Sequence, residues 1–119
     1  MSDLLLRATR RADRVRVLVI GALDVRSAHE FQQRLGRVLD GAATAGVRVA
    51  IDLRCCTYVD TAGLLALAAA RTEVRSRGGD LHLVAVPPLI ERLIDLRGLA
   101  DELLPTSTSG ARRAAGGRG

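Results

Sequence analysis

A change of hydrophobic period within one short stretch sets the terms for any fold of this chain. Val47, Val49 and Ile51 alternate with Arg48, Ala50 and Asp52, the two-residue period of a strand. From Thr61 onward, Ala62, Leu65 and Ala69 together with Leu64, Leu67 and Ala68 cover one broad side of a helix, with Arg71, Arg75 and Arg77 toward its far end. A strand therefore gives way to a helix near Tyr58 to Thr61. Asp60 and Thr61 both suit the helix start, because their side-chain oxygens can accept from the unpaired amides of the first turn. The residues leave two readings of Thr61 open. Its hydroxyl is a cap, or it is a modification site at a helix end that favours added negative charge. Gly63, lacking a side chain, lets another backbone or another protein come close.

The same alternation of periods runs through the rest of the chain. Leu4, Leu6 and Ala8 predict an edge strand, and Val15 to Ile20, with Val15, Val17 and Val19 on one face, predict a second that stops at Gly21 and forms a hairpin with the first. Ser27 followed by Glu30 reads as a capping box. Behind it Ala28, Phe31, Leu35, Val38 and Ala42 form the buried stripe of a helix running to about Ala45, with Gly46 as its stop. The second helix ends near Gly78 and Gly79, and Leu81 to Val86 is a strand closed by Pro87. Pro88 opens a third helix with Leu89, Ile90, Leu93 and Ile94 as its apolar face, stopping at Gly98, and Leu103 to Pro105 add a short final segment. The predicted order is β-β-α-β-α-β-α, an α/β fold with a mixed sheet and three helices that could all be packed on one face, although strand order and sidedness do not follow from the pattern. Residues 1–105 form one domain, and 106–119, composed of Ser, Thr, Gly, Ala and Arg, are expected as a disordered tail.

Almost half the residues are apolar, yet Arg or Asp interrupts every apolar run before membrane length. Leu4 to Leu6 lead straight into Arg7, Arg10 and Arg11, so no signal segment is evident and a cytoplasmic location is expected, with no membrane partner. Cys55 and Cys56, the only cysteines, are adjacent and cannot staple distant parts of the chain. The formal charge is +5, but Arg112, Arg113 and Arg118 supply +3 of it from the tail, and the body is left with +2. With one Tyr and one Phe there is almost nothing for bases to stack on, so direct nucleic-acid binding is not expected.

Enzymatic signatures are missing from the sequence. His29 and His82 sit beside a helical stripe and within a strand, with no nucleophile pattern to pair with them. There is no Gly-rich phosphate loop, and no cofactor is expected. Asp24, Asp52 and Asp60 lie near strand ends, where they serve as turn and cap residues or, alternatively, as oxygen donors to a divalent cation.

Four pieces in order carry a resemblance: Gly21-Ala22-Leu23-Asp24, Ile51-Asp52-Leu53, Tyr58-Val59-Asp60-Thr61-Ala62-Gly63-Leu64, and Arg97-Gly98-Leu99. From about Leu4 to Pro105 the chain resembles the STAS domains of bacterial anti-sigma factor antagonists. The resemblance implies a switch with no catalysis of its own, which binds an anti-sigma factor and so releases a sigma factor. In that family the partner is a kinase using ATP and magnesium. It phosphorylates the hydroxyl residue after the motif aspartate, here Thr61, and a phosphatase reverses the step. The implied partner surface comprises Asp24, Asp60, Ala62, Gly63 and Leu64. Two positions depart from the usual pattern. Threonine replaces the usual serine, and Ala62 stands where a second hydroxyl is common.

A phosphate would add roughly −1.5 to −2 charges at a helix N-terminus, which the helix tolerates, so its expected effect is on the interface rather than on folding. STAS domains also serve as subunits of lipid-transport ABC complexes and as scaffolds of stress-signalling complexes, and these are the competing expectations.

Overall fold

The computed structural model describes residues 3–42 and 46–105. The chain forms β1 (Leu5–Arg11), β2 (Arg14–Leu23), α1 (Ala28–Ala42), β3 (Arg48–Asp52), β4 (Cys56–Val59), α2 (Thr61–Ser76), β5 (Asp80–Val84), α3 (Pro88–Leu96) and α4 (Ala100–Leu103). The expected end of the first helix near Ala45 and the expected tail at 106–119 lie outside the described residues.

The sheet runs β1-β2-β3-β5, with β1 antiparallel to β2 and the remaining pairs parallel. Alternation decides its two sides. Val15, Val17 and Val19 of β2, Val49 and Ile51 of β3, and Leu81 and Leu83 of β5 are all buried beneath the helices. Phe31, Leu35 and Leu39 of α1, Leu64, Leu67 and Val74 of α2, and Ile90 and Ile94 of α3 meet them in one core. Each such side chain contributes roughly 1.5–3 kcal/mol by leaving water, before chain entropy is set against it. The residues between them in the strands, such as Arg14, Arg16 and Arg48, stand on the opposite, uncovered face. The mixed sheet is as the periodicity predicts, and the helices, whose sidedness the pattern left open, pack on one face of it.

Three local expectations are corrected. The second strand does not stop at Gly21: with φ at +106°, Gly21 shifts the register and the strand continues to Leu23. Beyond that kink its parallel partner is β4, a strand the period analysis missed. Cys56 and Val59 are buried while Thr57 and Tyr58 between them are exposed, so the two-residue alternation is broken by the irregularity itself. On α2 the buried side is Gly63, Leu64, Ala66, Leu67, Ala70 and Val74. Leu65 and Ala69, assigned to that side from sequence, are exposed. An alanine-rich helix offers apolar residues on every side, and periodicity could not choose among them.

Candidate functional site

Leu23, the last residue of β2, pairs with Val59, the last residue of β4. Parallel pairing thus sets the residues that follow, Asp24 and Asp60, at the same end of the sheet. Asp60 is the N-cap of α2, in an extended conformation, and its Oδ1 accepts from the Gly63 amide at 2.8 Å. Its Oδ2 accepts from the Val25 amide at 3.1 Å, so the same carboxylate ties the β2–α1 loop to the helix start. Asp24 organises that loop from within. Its Oδ1 accepts from the amides of Arg26 and Ser27 at 3.0 and 3.2 Å, an Asx-type turn. The Ser27 hydroxyl, buried, donates to the Ala22 carbonyl at 2.8 Å and accepts from the Asp24 amide at 3.0 Å. The predicted capping serine is thus engaged with the loop behind it, and the Glu30 carboxylate pairs with Arg34 at 2.6 Å.

Because Asp60 takes the cap, Thr61 is free of that duty. It is the first residue of α2 and is exposed, and its hydroxyl accepts from Arg97 Nη2 at 2.9 Å. Arg97 caps the C-terminus of α3 and is itself exposed. The sequence motif Arg97-Gly98-Leu99 marked its position without indicating a role, since nothing in a linear pattern links residues 36 apart. Two apolar side chains attached to this helix start are in water. Val25, whose backbone is bonded to Asp60, is 71% exposed, and Leu65, one helical turn after Thr61, is 60% exposed.

Two residues expected on a partner surface are inside the protein. A Cβ on Gly63 would sit 2.1 Å from the Leu23 carbonyl oxygen, so the backbone that Gly63 admits is the chain's own. Leu64 is 1% exposed and packs in the core. Both position the helix start, while Thr61, partly buried Ala62, Val25 and Leu65 are what its surface offers.

Asp52 stands apart chemically. It is fully buried, and its Oδ2 receives Arg16 Nη2 at 2.9 Å and Arg54 Nε at 2.9 Å. Burial pushes its carboxyl pKa up, but the hydrogen bonds from the Arg54 guanidinium and amide, and then from Arg16, outweigh that and hold it down at about 2. Its partners are guanidiniums, so it fits a buried ion-pair group rather than a cation ligand. Among the described residues no group of three or more His, Cys, Asp or Glu is arranged to hold a metal ion. His29 is exposed on α1 and His82 half-buried on the uncovered sheet face. Cys55 is exposed, whereas burial pushes the Cys56 thiol pKa up, away from reactivity. No described helix is long and apolar enough to cross a membrane.

The STAS-domain family matches residues 7–111, nearly the whole chain. The protein belongs to the STAS-domain family. An anti-sigma factor antagonist from Mycobacterium paratuberculosis is similar to this STAS domain over 94% of the chain and 97% of its own, with 24% identity and a TM-score of 0.71. SpoIIAA, an anti-sigma factor antagonist, is similar in its unphosphorylated form over 94% of this chain and 99% of its own, at 12% identity and a TM-score of 0.62. That protein, a cell fate determinant of Bacillus, has also been solved phosphorylated. The murine anion transporter Slc26a9 is similar over 92% of this chain at 18% identity and a TM-score of 0.67. Here the chain spans only a small part of the larger protein, 19% of its length, and it spans 20% of another large match. At these identities the likeness establishes the fold of the STAS domain and leaves its activity to the site.

Proposed function

We propose that this STAS domain is a cytoplasmic anti-sigma factor antagonist. It acts by binding rather than catalysis, and phosphorylation of Thr61 by an anti-sigma factor kinase switches it off, with a phosphatase restoring it. The observation that carries this reading is the division of labour at the start of α2. Asp60 does the capping, and the Thr61 hydroxyl is left exposed beside uncovered Val25 and Leu65. A hydroxyl needed for folding would be a poor switch, because modifying it would cost stability. Among the described residues, this one is held by an exposed arginine alone.

Phosphate transfer from ATP to Thr61 Oγ1 would form a P–O bond there, release ADP, and pass the hydroxyl proton to a base of the kinase. The product carries a dianion amid the apolar side chains that a partner would cover. Burying that charge against a partner costs a few kcal/mol, and each ~1.4 kcal/mol is a tenfold loss of affinity. Asp24 and Asp60 belong to this reading as the residues that set the shape of the partner surface.

The test is to incubate the pure protein with candidate anti-sigma kinases and Mg-ATP, locate added phosphate by mass spectrometry, and measure complex formation. Phosphate on Thr61 with loss of the complex is expected, as is weakened binding by Thr61→Glu at nearly unchanged thermal stability. A Thr61→Glu protein that binds as well as the parent removes Thr61 from the interface. Neither binding nor phosphate across the panel would favour the second reading, a subunit of a lipid-transport ABC complex. The similarity to a transporter-borne domain gives that reading its support.

A further inference from the structure

The uncovered face of the sheet carries an arrangement of charge that the proposed switch does not use. Strand register sets its rows. Arg11 of β1 pairs with Arg14 of β2, and Arg14 pairs with Arg48 of β3, so three guanidiniums occupy one cross-strand row. With strands ~4.8 Å apart, that row spans roughly 10 Å. The next row is Thr9, Arg16, Ala50 and His82, and the one beyond it is Arg7, Leu18, Asp52 and Val84. Together Thr9, Arg11, Arg14, Arg16, Arg48 and His82 line a shallow open depression.

Like charges directly opposite one another across strands oppose pairing. Acidic residues do not relieve this row. Asp52 is committed to Arg16 and Arg54, and Asp80, at the far end of the row, accepts from Arg71 of α2 and from the Leu81 amide. Asp13 lies in the exposed turn between β1 and β2. The Arg11, Arg14 and Arg48 side chains form no ion pair or hydrogen bond among the described residues. Three adjacent guanidiniums that form no ion pair among the described residues, with Asp80 as the one carboxylate in their row, are complementary to an anionic ligand.

We propose that this face docks an acidic, extended segment of a protein partner, at a site separate from Thr61. Guanidinium forks donate to carboxylates in bidentate geometry, and two acidic side chains at alternate positions of an extended segment, roughly 7 Å apart, fit within the row. Apolar Leu18, Ile20 and Val84, half-buried farther along the face, suit the apolar residues of such a segment. The face carries neither Phe nor Tyr to stack on bases, since Phe31 is in the core and Tyr58, on β4, lies outside these rows; its one ring, His82, is half-buried. The last residues of the chain are themselves basic, so they are not the occupant.

Fluorescence anisotropy of a labelled peptide alternating Glu with Val, against its Gln counterpart, tests the proposal on the full-length protein. The expected result is saturable binding of the Glu peptide only, weakening as salt is raised, and reduced at least tenfold in the double variant Arg14→Gln, Arg48→Gln. The substitution relieves like-charge crowding, so its melting temperature should be equal or higher, which separates lost binding from lost folding. Arg37→Gln with Arg75→Gln, two exposed arginines on the helical side, should leave binding intact. Equal loss in both double variants would show a non-specific charge effect and overturn the proposal. So would tighter, Arg14-dependent binding of duplex DNA or of phosphatidylglycerol vesicles than of the peptide. Because Thr61 takes no part, Thr61→Glu should leave this binding unchanged whatever its effect on an anti-sigma factor.

Discussion

Asp52 closes β3 and Asp60 follows β4, and both carboxylates have their oxygens occupied, yet by donors of different kinds. Asp52 is buried and receives two guanidiniums as well as an amide. Asp60 is partly exposed and receives two amides, one from its own helix and one from a neighbouring loop. Charged donors around a buried acid make its ionisation part of the folding free energy. Neutral amides around a surface acid make its geometry matter instead, by fixing where a helix starts and where a loop lies. The first aspartate therefore belongs to stability, and the second to the presentation of Thr61.

The largest effect is expected at Gly63, which lets the helix that Asp60 caps meet β2. Gly63→Ala places a carbon 2.1 Å from a carbonyl oxygen that belongs to strand backbone, and should cost about 3 kcal/mol, read as a fall in denaturation midpoint. A variant as stable as the parent would mean that the helix start is not locked to the sheet.

Asp52 comes next. Its pKa in the folded protein lies below the ordinary 3.8, at about 2, so its stabilisation is fully present above 3.8 and is lost as pH falls through that interval. The amount is roughly 2 kcal/mol, and Asp52→Asn should remove it together with that part of the pH dependence. Urea melts between neutral pH and pH 2 would show the two proteins converging in acid. Parallel profiles would mean that the arginines are solvated rather than bonded to Asp52.

The smallest effect on stability is expected from Asp60→Ala, about 1 kcal/mol for a lost N-cap. Its distinctive signature is local, with faster hydrogen exchange at the Gly63 and Val25 amides and weaker partner binding than the stability loss accounts for. Protection unchanged at Val25 would remove the tie between loop and helix.

Much of this was legible in the sequence because it rests on period. Val15, Val17 and Val19 alternate, Phe31 and Leu35 recur at helical spacing, and each predicts a buried face that the structure has. Asp60 and Thr61 were legible as a pair of helix-start residues, but not their division of roles, since either side chain can accept from a first-turn amide. Strand β4 was hidden by its own irregular register, and the exposure of Leu65 by the apolar residues on all sides of α2. Arg97 was hidden for another reason, because its partner is distant in sequence and is met only once α2 and α3 have packed.

The sequence by itself determined the order of strands and helices apart from β4, which residues of each regular strand would be apolar on one side, and the type of residue at the helix start. These follow from hydrophobic period, turn chemistry and capping preference, each of which acts over a few neighbouring residues. Only the tertiary structure decided that Asp60 caps and Thr61 does not, that Gly63 faces Leu23 rather than a partner, and that Arg11, Arg14 and Arg48 stand in one row. Those outcomes depend on strand register and on the docking of helices, where residues far apart in the chain come within a few ångströms, and local preference carries no information about which ones will meet.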